Sequence, residues 1–251
     1  MTTEQIIAER PKKVIYRDGD KTVKLFDSTY SSADVLNEAL NLARVGEAGT
    51  ALHIPRLSEV SRIGGQWAIV YDYVEGESIA DLMREHPEKH DEYLDLFVEL
   101  QMLVHRQTVP MLSKLRDKMN RKISESGLEA TVRYELHTRL EGMPRHSKLC
   151  HGDFNTANVI ITPSGEPYIL DWAHATQGNA SADAARTYLL YCLRGEREEG
   201  ERYLSLFCKK SDTARQYVEK WMPIVAASQL VKRKPEEREF LLSWVNVAEY
   251  Q

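Results

Sequence analysis

The sequence predicts an α+β protein of two lobes, a small antiparallel β lobe with one helix and then a larger, mostly helical lobe. Three observations carry that expectation. Up to Tyr71, short apolar runs alternate with polar residues and are separated by glycine turns, the pattern of half-buried strands. After Glu75-Gly76 the apolar residues recur at helical spacing. Between Val159 and Leu170 a brief strand pattern interrupts the helical half. Taken linearly, residues 1–71 make the N-terminal lobe, 72–76 a hinge, and 77–251 the C-terminal lobe.

Ile6 and Ile7 sit in a short apolar stretch, and Val14 to Arg17 leads through Asp18-Gly19-Asp20 into Thr22-Val23-Lys24-Leu25-Phe26. An Asp-Gly turn between alternating segments is a hairpin signal. Ser31-Ser32-Ala33-Asp34 resembles a capping box, and Val35, Ala39 and Leu42 then recur on one helix face that has Glu38 on its shoulder. That helix is expected to stop near Gly46 or Gly49. A second hairpin runs from Arg56 to Arg62, turns at Gly64-Gly65 and returns as Gln66 to Tyr71, with Trp67, Ile69 and Tyr71 alternating against Ala68 and Val70.

Ser78-Ile79-Ala80-Asp81 reads as the capped start of a short helix, and from Asp91 the chain is mainly helical. Met111, Leu115, Met119 and Ile123 form a stripe at spacing four, interleaved with Lys114, Arg116, Lys118, Arg121 and Lys122. Such a basic run reads as a solvated helix face before it reads as a nucleic-acid contact. Strand signals return at Leu149-Cys150, Val159 to Ile161 and Tyr168 to Leu170, the last two joined by Thr162-Pro163-Ser164-Gly165. Helices resume near Ser181.

Composition narrows the function classes. A net charge of −5 and a pI near 5.9 supply no global basic field for nucleic acid or an anionic membrane. The first residues lack the apolar core of a secretory signal, and no apolar run has the length of a membrane span. Three cysteines, Cys150, Cys192 and Cys208, are too scattered for a disulfide framework or a zinc site. A cytoplasmic protein is expected, without nucleic-acid or membrane partners; oligomeric state does not follow from the sequence.

The most informative segment is His151-Gly152-Asp153-Phe154-Asn155-Thr156-Ala157-Asn158, followed after the apolar hairpin by Asp171-Trp172. It reads H-x-D-x-x-x-x-N, hairpin, D. Phosphoryl-transfer enzymes present a hydroxyl-orienting carboxylate and two magnesium ligands in that order. Asp153 is the candidate to orient an incoming hydroxyl; Asn158 and Asp171 offer the hard oxygen donors that Mg²⁺ prefers. Lys24 lies in an apolar strand, where an ammonium can reach nucleotide phosphates if a carboxylate directs it, and Glu38 is the natural partner. Taken singly, each of these residues also has an ordinary structural reading. The ordered set is what points to chemistry.

These residues resemble the aminoglycoside phosphotransferase and choline kinase group, the small-molecule branch of the protein-kinase-like fold. The likeness spans nearly the whole chain and is strongest from Leu149 to Leu190. It implies a bilobal kinase-like fold, with ATP or GTP and Mg²⁺ as cofactors and a small-molecule alcohol as the other substrate. Leu149 to Asp153 is similar to the family's catalytic loop, and Ile169-Leu170-Asp171-Trp172 to its metal-binding strand end. The resemblance makes Asp183 a buttress of the catalytic loop and His151 a residue that shapes it. Ile69 to Gly76 is similar to the family's hinge, so backbone groups of Asp72 and Val74 would meet the adenine edge while Tyr71 closes the back of the pocket.

The departures are informative too. Arg10-Pro11-Lys12-Lys13 holds no glycine to cradle phosphates. Lys12 or Lys13 could supply charge there, although solvated lysines are the simpler reading. Gly152 stands where protein kinases place an arginine between His and Asp, and no Ala-Pro-Glu segment follows Trp172. Without that arginine a phosphorylated activation loop has no usual anchor, which favours a constitutive small-molecule kinase over a regulated Ser/Thr protein kinase; a nucleotide-binding pseudokinase is the other alternative reading.

Overall fold

The computed structural model describes residues 5–246. They fall into two compact units, one reaching to His90 and taking in Thr156–His174, the other made of Asp91–Asn155 and the chain from Ala175 onward.

The first unit is built on a five-stranded antiparallel sheet in the order β1-β2-β3-β5-β4. Its strands are β1 (Gln5–Arg10), β2 (Lys13–Asp18), β3 (Lys21–Phe26), β4 (Leu57–Ile63) and β5 (Gln66–Asp72). Helix α1 (Ser32–Glu47) follows β3. The expected alternation sorts the side chains onto two faces. Phe26, Ile69, Val35 and Ala39 form one core, with Trp67 and Tyr71 packed against it. Tyr16, Val23 and Ala68 form the other, with Val14, Leu25 and Val70 around them. Lys24 pairs with Ile69 and with Ile15, so it points to the α1 face, against the polarity of its neighbours. Ser31 is the N-cap of α1, but its hydroxyl makes no capping bond; the Ser31 carbonyl accepts from the Asp34 and Val35 amides instead.

This division of the chain differs from the linear one because the sequence folds back on itself. Strand β6 (Glu77–Ser78) pairs with β8 (Val159–Ile161), which pairs with β9 (Pro167–Ile169). The Ile169 amide also donates to the carbonyl of His53 at 3.0 Å. Gly76, at φ +146°, permits the β6 crossing: a Cβ there would stand 2.2 Å from the Ile161 carbonyl oxygen. Ser78 then caps α2 (Ile79–Glu85), accepting from the Asp81 amide at 3.0 Å and donating to the Asp81 carboxylate at 2.6 Å.

The second unit holds α3 (His90–Arg106), α4 (Leu115–Glu125), α5 (Ala130–Gly142), β7 (Lys148–Cys150), β10 (Thr176–Gly178), α6 (Ala180–Leu193), α7 (Arg197–Ser211), α8 (Arg215–Glu219), α9 (Met222–Leu230) and α10 (Pro235–Asn246). The stripe on α4 is shorter than its spacing suggests. Leu115, Met119 and Ile123 are buried, whereas Met111 precedes the helix and is 69% exposed. Strand β10, which has no sequence signal, pairs antiparallel with β7. Among the described residues, no helix is long and apolar enough to cross a membrane.

Candidate active site

In the first unit the structure gathers Lys24, Glu38, Tyr71 and Asp171 around one small pocket, lined also by Leu42, Pro55, Ile69 and Trp172. Lys24 is 2% exposed. Its Nζ donates to the Glu38 carboxylate and, at 3.3 Å, to Oδ1 of Asp171. Burial opposes the Lys24 charge, but Asp171 and Glu38 outweigh it and raise its pKa, so the ammonium persists at any physiological pH. Burial in turn raises Glu38, with Lys24 opposing. Burial also pushes Tyr71 up to about 12, which leaves a neutral phenol at the pocket wall.

Asp171 reaches Lys24 as β9 ends two residues earlier and Asp171 adopts φ +60°, a left-handed conformation uncommon for residues other than glycine. Asn158 closes the turn before β8, and its carbonyl accepts from the Leu170 amide at 2.8 Å. The hairpin thus makes Asn158 a cross-strand neighbour of Leu170, one residue from Asp171. The amide of Asn158 and the carboxylate of Asp171 are the hard oxygen donors that a magnesium ion could take, its remaining ligands being water and phosphate. Among the described residues, no group of three or more His, Cys, Asp and Glu could hold a metal.

Sequence reasoning undervalued Lys13. It lies opposite Phe26 at the start of β2, on the same sheet face as Lys24, and is half-buried, not solvated. Burial first, and then the charge of Lys24, lower its pKa, while Asp171 and Glu38 raise it. Strand alternation could have placed it, since Lys13, Ile15 and Lys24 share a face. At the end of β5, the Asp72 amide is occupied by the Arg56 carbonyl at 3.1 Å, and its carboxylate accepts from Lys21 at 2.7 Å.

In the second unit the Asp153 loop hangs on Asp183. Oδ1 of Asp183 accepts from the Gly152 amide at 2.7 Å, and Oδ2 accepts from the His151 amide at 3.1 Å. Nε2 of His105, near the end of α3, lies 3.0 Å from Oδ2. Burial works against the Asp183 charge, yet these partners together hold its pKa below the usual carboxylate value. Gly152 takes φ +80°, which suits a residue without Cβ. The fully buried His151 ring accepts from the Asp153 amide at Nδ1, 3.3 Å away, and meets Phe154 edge-on. Thr187 on α6 donates to the Phe154 carbonyl at 3.1 Å. His105 carried no sequence signal beyond a histidine on an apolar helix. Cys150, beside the loop, is buried with its thiol raised by burial, so it is a packing residue.

The profile of the phosphotransferase enzyme family matches residues 10–219. No curated protein sequence matches the chain. Among solved structures, aminoglycoside phosphotransferase APH(4)-Ia aligns with a TM-score of 0.69 at 15% identity, over 98% of this chain and 92% of its own. A choline/ethanolamine kinase family protein from Mesorhizobium loti aligns with a TM-score of 0.61 at 14% identity, over 99% and 88%. Choline kinase LicA from Streptococcus pneumoniae gives 0.61 at 14% identity, over 98% and 91%. At such identities the likeness speaks for the fold, which is the α+β kinase-like one expected. With the family profile matching most of its length, the chain belongs to the phosphotransferase enzyme family.

Proposed function

We propose that this small-molecule kinase transfers the γ-phosphoryl group of ATP to a hydroxyl of its acceptor, with Asp153 orienting that hydroxyl. The single observation that supports this reading best is the pairing of Lys24 with both Glu38 and Asp171, residues remote in sequence. An ammonium fixed from two sides is positioned for nucleotide phosphates. AMP-PNP and hygromycin B are bound together in one aminoglycoside phosphotransferase of this fold; that complex lends support to ATP as donor here.

The roles then follow residue by residue. Lys24, directed by Glu38, neutralises phosphate oxygens, and Lys13 adds charge where the first turn has no glycine to offer. Asn158 and Asp171 would hold Mg²⁺, which supplies charge neutralisation at the phosphates. The Asp72 amide is already bonded to Arg56, so adenine recognition falls to the Asp72 carbonyl and to Val74. Tyr71 closes the pocket behind them. Asp153 accepts the hydroxyl proton as the acceptor oxygen bonds to the γ-phosphorus and the bridging oxygen leaves with ADP; the proton then passes to water. Asp183, His105 and His151 hold the loop that carries Asp153.

ADP release against a panel of alcohols tests the reading. Asp153→Asn is expected to lower kcat by about 10²- to 10⁴-fold with little change in nucleotide affinity. Equal turnover by the variant on an accepted substrate would remove Asp153 from this role.

A further inference from the structure

The basic run at α4 is only in part the solvated face that its sequence suggests: Lys114 and Arg121 are exposed, whereas Arg116, Lys118 and Lys122 are partly covered. Lys118 and Lys122, spaced to share one helix face, lie within electrostatic reach of Arg186 on α6 and of Arg121 beside them, and Lys122 also of Lys232 after α9. Lys118 and Lys122 are half-buried, and Arg186 is only 8% exposed. Helix α9 packs against α4, α6 and α10 and so ties these groups together.

The carboxylates of this region are mostly committed elsewhere. Glu237 is paired with Lys234 at 2.7 Å and accepts from Gln229 at 2.6 Å. Asp183 is bound by His105 and two loop amides. The Arg186 guanidinium donates to neutral Gln229 at 2.8 Å, and among the described residues no carboxylate forms an ion pair with it. Asp153 is the other acidic group whose charge reaches Arg186, Lys118 and Lys232. The Thr187 bond to the Phe154 carbonyl ties the α6 turn bearing Arg186 to the Asp153 loop.

Resting on the kinase reading above, we propose that the phosphoryl acceptor is an anion, an alcohol that also carries a carboxylate or phosphate group, held by Lys118, Lys122 and Arg186 beside Asp153. Several cations crowded near Asp153, with Asp183 and Glu237 already bonded to other groups, repel a polycationic or quaternary-ammonium acceptor and attract a negatively charged one. Burial first, then the neighbouring cations, depress Lys118 to about 8 and Lys122 to about 7. A bound anion reverses that depression and keeps both lysines charged at neutral pH.

The test uses the full chain with its nucleotide site filled by AMP-PNP and magnesium. Calorimetry then compares glycerol 3-phosphate, glycerate, glycerol and choline. At least one anion is expected to bind tenfold or more tightly than glycerol and choline, and the stronger of the two identifies phosphate or carboxylate as the recognised group. Lys122→Met, or the exposed Arg121→Met as a milder second variant, should weaken that anion at least fivefold. Lys209→Met, an equal charge change at an exposed position of α7, should leave it unaltered. The proposal is overturned if neither anion binds, if choline or glycerol binds as well as both, or if both α4 variants retain wild-type affinity. ADP release with the same compounds separates the two readings. Release with choline alone keeps the kinase and removes the anion; anion binding without ADP release from any acceptor supports the site and removes the kinase.

Discussion

The surroundings of Lys24 and of Lys122 solve opposite problems with the same side chain. Lys24 is the more deeply buried, yet Asp171 and Glu38 raise its pKa and the charge is secure. Lys122 is half-buried, and its depression to about 7 comes from burial first and then from Lys118, Arg186, Lys232 and Arg121. Depth of burial therefore does not decide whether an ammonium survives; the sign of its neighbours does. A cation already held by carboxylates is pre-organised to present its charge in a fixed direction. A cation among cations is stabilised only when something negative arrives. The first arrangement suits a group that positions, the second a group that selects.

The sharpest way to break this contrast is Lys24→Met. It removes the ammonium while leaving Glu38 and Asp171 facing each other without it, so kcat/KM for ATP should fall about 10³-fold, roughly 4 kcal/mol. Lys24→Arg should not restore it, because a planar guanidinium cannot replace a compact ammonium between two carboxylates in a small pocket. Retention of ATP kcat/KM within threefold in Lys24→Met would remove the positioning role.

Asp183→Asn tests the second unit's own compensated charge. The substitution keeps the shape but weakens acceptance from two amides and replaces the carboxylate beside His105. Urea unfolding at pH 7 should show a loss of about 2–3 kcal/mol. The pH dependence has a definite sign. The Asp183 pKa is lowered in the folded state, so its stabilisation is fully present above the ordinary value near 3.8 and disappears as pH falls through the depressed folded value. Wild-type stability should drop on acidification below about pH 4, and the variant's should drop less. Identical acid profiles would contradict the assignment.

Much of this was legible in the residues. Strand alternation, the Gly64-Gly65 turn and the Ser78 cap are local signals, and each element stands where its own chemistry puts it. The Asp153 loop and the Asn158-to-Asp171 hairpin were readable because their order and spacing are themselves the pattern. What escaped depends on packing between distant segments. Met111 continues the α4 stripe in sequence but lies before the helix, because nothing in the period marks where a helix starts. His105 gains meaning only opposite Asp183, and Lys13 only through its strand register with Lys24. The basic α4 run was misread in part for the same reason: Lys114 and Arg121 are exposed as its charge pattern suggests, but Lys118 and Lys122 are partly covered once α9 packs beside α4.

Lys122→Met, the smallest expected effect, sharpens the comparison from the other side. A lysine whose folded pKa lies near 7 rather than 10.5 opposes folding whenever the pH favours its protonation. The penalty is fully present below about 7, shrinks as pH rises through the interval and vanishes above 10.5. Replacing it with an uncharged chain of similar length should therefore stabilise the protein, by about 1 kcal/mol at pH 6 once solvent screening is allowed for. At pH 10 the gain should be near zero. Chemical denaturation of both proteins at the two pH values, without added anions, reads this directly. Lys24→Met should not stabilise at either pH, since removing a cation from between two carboxylates leaves their charges uncompensated. A stabilised Lys24→Met, or a Lys122→Met that loses stability at pH 6, would show that burial alone governs these lysines and that neighbouring charge does not distinguish them.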